Sequence, residues 1–220
     1  MKSYYASPER EDELKLKEQL TLLKSLPHLQ EFVDALPYPV TVLNSKRQVV
    51  FSNKSLIDKL DVTDFSHFPG QRPGEVLNCI HAKECEGGCG TSSHCNICGA
   101  VNTILKSQSE NKKITDDCRI IAKNTDGNLF YNFEVTASPF FVKDEQFIIF
   151  SLQDNSVLKQ KEVLEKIFFH DILNTAANIN GLSELLSTAE DPEKQQLFLK
   201  LINKVSVELI DEINGQRQIS

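Results

Sequence analysis

The sequence predicts an α+β chain: a five-stranded antiparallel sheet with helices, followed by an α-helical hairpin. Three observations carry this reading. Two apolar runs, "VTVLN" and "QVVFSN", flank the polar "SKR" and read as strand, turn, strand. Three more apolar-rich runs, "CRIIAK", "LFYNFEVTASPFFV" and "QFIIFSLQD", follow one another before residue 155. Between the first two lies "TDGN" (Thr125 to Asn128), a hairpin signal because Asp-Gly tolerates the positive φ angles of a tight primed turn. From residue 155 on, the apolar residues step by three and four instead of two, the rhythm of amphipathic helices.

Taken in order, residues 1–25 hold an N-terminal helix over 9–25, with Leu16, Leu20 and Leu23 as a narrow apolar stripe. That helix either packs on its own domain or helps to form a dimer. Residues 26–154 form a mixed domain. In it "LPHLQEFVDAL" is a short amphipathic helix ending before Pro37, and Asn53 opens a helix over "NKSLIDKL". A cysteine-rich loop spans 79–99, and "AVNTILKS" follows with Val101, Ile104 and Leu105 at helical spacing. Residues 155–220 are the hairpin. Leu164, Phe168, Ile172, Thr175, Ile179, Leu182 and Leu186 form a seam, and Asp191 and Pro192 are N-cap and first residue of a second helix carrying Phe198, Ile202, Val205 and Leu209. Two such helices cannot bury both stripes alone, so the hairpin is expected to dimerise into a four-helix bundle, making the protein a homodimer.

The bulk numbers set bounds. A net charge of −7 over 220 residues argues against a nucleic-acid partner. The N-terminus is too charged for a signal peptide, and runs such as "FIIF" are far shorter than a bilayer crossing, so a cytoplasmic protein without a membrane partner is expected. In a reducing compartment clustered cysteines point to metal binding or redox chemistry more than to a disulfide framework.

The order of two strands, helices and three antiparallel strands over residues 26–154 resembles the PAS sensor domain. The resemblance implies a five-stranded sheet whose helical side encloses a signal or cofactor site.

In the hairpin, His170 of "EKIFFHDILNTAANINGLSELL" lies two residues past Phe168, about 200° around the helix from the seam. Asn174 shares its face and Asp171 adjoins it. An exposed imidazole beside a carboxylate can act as a nucleophile, the carboxylate accepting its second N–H. A lone histidine on a helix is ordinarily a solvated polar residue, but "FFHDILNT" resembles the H-box of the dimerisation and phosphotransfer domain of sensor histidine kinases. That resemblance implies that His170 accepts phosphate from ATP, that Asp171 assists, and that Asn174 supports dephosphorylation of the partner, the receiver domain of a response regulator. Thr175 stands where many H-boxes carry proline. The chain holds nine glycines, no GxGxxG and no GxxxxGK[ST], and it ends at Ser220. No autonomous kinase activity is therefore expected, and the ATP-binding kinase domain would act in trans or in a longer chain.

Five of the six cysteines fall within "CIHAKECEGGCGTSSHCNICG" (79–99). Cys95 and Cys98 form a CxxC pair whose thiolates can converge on one ion; Cys89 lies in a glycine-flanked loop, and Cys79 could close a four-sulfur site. The whole stretch resembles a cysteine-bearing insertion of some PAS-type sensor kinases, which favours Cys79, Cys89, Cys95 and Cys98 as the cofactor and metal ligands and leaves Cys85 as a spare. His81 and His94 are substitute ligands, with His94 expected to face away from a centre held by Cys95 and Cys98. Cys118, on a later strand, reads as a small apolar residue. Three occupants stay open: an iron–sulfur cluster sensing oxygen or redox state, a structural zinc, or no metal and a reversible thiol switch.

The expected function is that of a two-component sensor protein: the cysteine-bearing domain senses redox state, oxygen or metal and controls phosphotransfer through His170. The alternative is a non-enzymatic dimeric ligand-binding or scaffold protein with a structural zinc. A thiol oxidoreductase built on "CNIC" is disfavoured, because no thioredoxin-like βαβ unit surrounds it.

Overall fold

The computed structural model describes residues 2–60, 68–124 and 127–217, and it divides into two compact units, 1–156 and 157–220. The first unit is an α+β fold with a five-stranded antiparallel sheet, as expected. Its sheet contains β1 (Val40–Leu43), β2 (Val49–Ser52), β3 (Ile114–Asn124), β4 (Gly127–Val142) and β5 (Glu145–Asp154), in the order β2-β1-β5-β4-β3 with every pairing antiparallel. The helices are α1 (Glu13–Lys24), α2 (Leu29–Asp34), α3 (Lys54–Lys59), α4 (Pro73–Val76) and α5 (Gly99–Glu110).

The sheet is covered on both faces at its β1–β2 end, which explains why "VTVL" and "VVFS" are buried at every position instead of alternating. Leu43, Val49, Ile148, Phe150 and Leu152 face a core shared with Leu56 of α3 and Ile104 of α5. Val40, Val42, Val50, Phe51 and Phe147 face the opposite side, where Leu16 and Leu23 of α1 and Val33 of α2 pack on them. The N-terminal helix thus belongs to the first unit. Asp12 caps it, its side chain accepting from the Lys15 N–H at 2.8 Å, so the helix begins four residues later than the periodicity suggests.

Turns follow local chemistry. At the β1–β2 turn, Asn44 Oδ1 accepts the N–H groups of Lys46 (3.0 Å) and Gln48 (2.9 Å), and Arg47 takes a positive φ. The β4–β5 turn puts Lys143 and Asp144 both in the left-handed region, the primed geometry that matches strand twist. Nothing in "VKDE" advertises this. Of the expected "TDGN" hairpin, Thr125 and Asp126 lie outside the described residues; Asn124 pairs with Gly127 on either side of them.

The second unit is a helical hairpin, α6 (Ser156–Thr188) and α7 (Pro192–Arg217). Asp191 caps α7, its Oδ1 accepting from the Glu193 N–H at 2.9 Å. The residues that are half-buried include Phe168, Ile172, Thr175, Ile179, Leu182 and Leu186 on α6 and Phe198, Ile202, Val205 and Leu209 on α7, the two stripes of the sequence pattern. Leu164, assigned to the same seam, is 60% exposed. No described helix is long and apolar enough to cross a membrane.

Asn53 ties three of these elements together. Its side chain is fully buried, accepts from the N–H groups of Val40 (2.9 Å) and Leu56 (3.3 Å), and donates to the carbonyls of Val33 (3.0 Å) and Tyr38 (2.9 Å). Asn53→Ala should cost about 2–4 kcal/mol, combining a lost cap with stranded buried backbone groups. Hydrogen exchange should show the loss as faster exchange in β1 and α3; unchanged protection there would remove Asn53 from this role.

Candidate functional site

The cysteine loop is folded by backbone geometry that glycine makes accessible. Gly99 opens α5 so close to β3 that a Cβ on it would meet the Asp117 carbonyl oxygen at 2.0 Å. A Cβ on Gly74 would meet Cys89 Sγ at 2.7 Å, so α4 and the loop touch there without a side chain between them. Two 3₁₀ turns, Ile80–Lys83 and Ser93–Ile97, carry the rest, and Cys79 bridges to Ala122 of β3.

Cys79, Cys89, Cys95 and Cys98 line one cavity of about 390 Å³, together with Arg47 and Arg72; Cys85 and Cys118 do not line it. Backbone amides near each of the four sulfurs favour its thiolate: those of His81 and Ala82 at Cys79, Gly74 at Cys89, Gly90 and Ser92 at Cys95, and Val101 and Ala100 at the head of α5 at Cys98. Burial pushes the thiols of Cys79 and Cys95 up and that of Cys89 up to about 12. Cys98 goes the other way. The contact with the Cys118 thiol, 3.9 Å away, favours its thiolate, and the α5 amides add to the effect against burial. Cys118 rises correspondingly, through the same contact and by burial.

Positive charge surrounds this cavity. Arg72 is fully buried, and Arg47 nearly so. The Arg72 guanidinium donates to five carbonyls: Lys46 (3.3 Å), Gly87 (2.9 Å), Cys89 (3.1 Å), Ser7 (3.2 Å) and Glu9 (2.7 Å). Burial, with Arg47 and Arg10 nearby, lowers its pKa to about 10, which keeps it charged at neutral pH. Glu75 balances part of this. It pairs with Arg10 and accepts the N–H groups of Arg72 (2.9 Å) and Cys89 (3.0 Å). Arg10 takes up this carboxylate, so Arg47 and Arg72 leave the inner wall with two positive charges. Asp117 and Arg119 also line the cavity, but they are exposed and of opposite sign.

That donor set suits a thiolate-bound centre. Four thiolates around a zinc ion, or around a cluster core of charge +2, carry a net charge of −2, equal and opposite to the wall. Four sulfurs around one zinc would stand about 3.8 Å apart, from a Zn–S bond of about 2.3 Å; among the described residues no three thiols have their sulfurs within 4.8 Å of one another.

Residues 4–10 strap the loop from outside; the sequence pattern assigned nothing to 4–8 and placed 9 and 10 in a helix that begins only at Glu13. Tyr4 and Ala6 donate to the carbonyls of Thr91 and Gly90, both at 2.9 Å, and Ala6 is buried against Cys95 and Val101. Arg47, Arg72 and Glu75 were also unassigned. The signal for two of them was present in "RPGE", where proline at the first helical position and glutamate at the third mark a helix start. His94 lines the cavity with His81 and turns its Nδ1 to Glu84 at 3.2 Å, while its backbone N–H donates to the Ser92 hydroxyl, which caps the second 3₁₀ turn.

On α6, His170, Asp171 and Asn174 come together on the exposed face. His170 Nδ1 lies 3.2 Å from Asp171 Oδ1, and the Asn174 amide nitrogen lies 3.2 Å from Nδ1 and 3.4 Å from Nε2. The imidazole is 73% exposed, while Phe168 and Ile172 on either side in sequence turn inward.

No family model matches the chain, and no curated protein matches it. Among solved structures it is similar to the PAS domain of BvgS from Bordetella pertussis (12% identity, 65% of this chain and 98% of that one, TM-score 0.43). It is also similar to a LOV protein from Rhodobacter sphaeroides (9% identity, 94% and 99%, TM-score 0.42) and to the PAS domain of nitrogen regulation protein NR(II) from Vibrio parahaemolyticus (14% identity, 59% and 98%, TM-score 0.40).

In metal-free protein the thiols should separate by reactivity. Iodoacetamide at neutral pH should modify Cys98 at least about tenfold faster than Cys89, because the thiolate is the nucleophile. Acidification should slow Cys98 as it gains its proton. Peptide mapping that found Cys89 modified first would contradict this electrostatic picture.

Proposed function

We propose that the chain is a signal-transducing protein in which a tetrathiolate centre, an iron–sulfur cluster held by Cys79, Cys89, Cys95 and Cys98, governs phosphoryl transfer through His170. The observation that carries the reading is the cavity itself: four thiols share it with two buried guanidiniums whose charge calls for an anionic occupant. An iron–sulfur centre, when bound, supplies a response to oxidants and to redox potential. The chain's own residues supply the rest. Backbone amides at Gly74, Gly90 and the head of α5 orient the sulfurs, and Arg47 and Arg72 stabilise thiolate charge that burial would otherwise disfavour.

A route from cavity to helix is supported by contacts within the first unit. Cys79 bridges to β3, and β3 pairs along its length with β4. The start of α6 is pinned beside β4: the Asn155 N–H donates to the Asn132 carbonyl at 2.9 Å, and Ser156 Oγ accepts from the Asn132 N–H at 3.2 Å. Any displacement of β4 is thereby passed to the first residue of the helix that carries His170.

At His170, an Nδ1–H donated to Asp171 leaves the Nε2 lone pair to attack the γ-phosphorus of ATP presented by a separate kinase domain. The N–P bond forms as the bridging P–O bond breaks, and ADP leaves with that electron pair. Nδ1 keeps its proton, and Asp171 stabilises the resulting cation. The phosphoryl group then passes to a carboxylate of a receiver domain, with Asn174 placed to orient a water for the hydrolytic reverse. A homodimeric four-helix bundle is part of this reading, since Ile167, Phe169, Leu173, Leu201 and Ile210 remain exposed on the hairpin.

The test begins with anaerobic purification. Iron and acid-labile sulfide with broad visible absorption are expected, lost in Cys89→Ser and Cys98→Ser. One zinc in a colourless protein would favour the scaffold reading with a structural clasp. For the second half, a kinase domain supplied in trans should label the chain with phosphate, and His170→Gln should abolish the label. Labelling that survived this change would sink the phosphotransfer role.

A further inference from the structure

A second donor cluster sits at the rim of the thiol cavity. His81 lies in the first 3₁₀ turn and Glu84 closes it, three residues apart, a spacing at which 3₁₀ side chains eclipse. His81 Nδ1 is 2.7 Å from Glu84 Oε1. His94 arrives from the second 3₁₀ turn and places its Nδ1 3.2 Å from Glu84 Oε2. The two imidazoles stack with centroids 4.2 Å apart and planes 15° from parallel. Ser92, almost fully buried, donates its hydroxyl to the same carboxylate. Among the described residues, this is the group of three metal-binding side chains whose donor atoms all lie within 4.8 Å of one another.

We propose that His81, Glu84 and His94 form a site for a divalent transition cation of the zinc, nickel and cobalt class, separate from the four thiols. Two imidazoles and one carboxylate are a three-ligand set that leaves a coordination position open. Imidazole and carboxylate select borderline cations, whereas the thiolates below select softer ions or clusters. Ser92 acts as the outer group that fixes the carboxylate. Both histidines line the cavity, and their turns flank Cys79 and Cys95. A cation bound here joins the two turns across the cavity mouth and restricts access to the sulfurs. The inference does not depend on what the thiols hold.

The test is a Co²⁺ titration of the full chain, purified anaerobically with its thiol centre as isolated. Wild type should take up one Co²⁺ beyond its initial metal content, with visible bands of nitrogen and oxygen ligation and no sulfur-to-metal charge transfer. Glu84→Gln and His94→Gln should each weaken that uptake by more than about tenfold while the thiol centre keeps its spectrum and metal content. If one variant disturbs the thiol centre, the other decides. No additional uptake by wild type, equal uptake by the undisturbed variant, or charge-transfer bands marking the thiols as the ligands would each overturn the proposal.

Discussion

The first unit depends on one buried cation. Arg72 has no solvent contact, and its guanidinium is satisfied by carbonyls from three segments far apart in sequence: the N-terminal strap at Ser7 and Glu9, the β1–β2 turn at Lys46, and the cysteine loop at Gly87 and Cys89. Carbonyls solvate a guanidinium without neutralising it, so the desolvation cost of the charge is offset while the charge itself remains. Glu75, three residues along, holds the Arg72 and Cys89 N–H groups with its carboxylate and pairs with Arg10. A loop with few apolar side chains is thus given a defined shape by polar bonds that water would otherwise compete for.

That arrangement also accounts for the chemistry of the cavity. Thiols in an apolar hole are inert, because burial raises their pKa, as at Cys89. Here the same hole contains two guanidiniums and a ring of backbone amides, so the thiolate form has counter-charge waiting for it. The asymmetry between Cys98 and Cys118 begins with their mutual contact, and Cys98 has the further advantage of sitting at the head of α5, where the amides of Ala100 and Val101 favour its thiolate.

The second unit obeys a simpler constraint. A helix seam rotates by about 100° per residue, so placing Phe168 and Ile172 inward puts His170 outward. The Asp171 and Asn174 contacts then follow from spacing along one helix face, which is why that constellation is legible in the sequence.

Legibility divides along the same line between local and distant. Every strand was visible as an apolar run, Asn53 and Asp191 were visible as caps, and both helical stripes were visible as steps of three and four. These are properties of contiguous residues whose physics is settled within a few positions. The β4–β5 turn was hidden, because Lys143, at its first position, adopts a left-handed angle that its identity does not favour. The partnership of Arg72 with residues 7, 9, 46, 87 and 89 was hidden for a deeper reason: an arginine in sequence reads as solvated, and only the closing of the chain determines which carbonyls surround it. By itself the sequence determined which segments are strands and helices, which loop gathers five of the six cysteines, and that His170 faces outward. Tertiary structure alone decided that those thiols share a cavity with buried positive charge and that His81, Glu84 and His94 meet at its rim, because separations across a folded loop are set by packing and not by spacing along the chain.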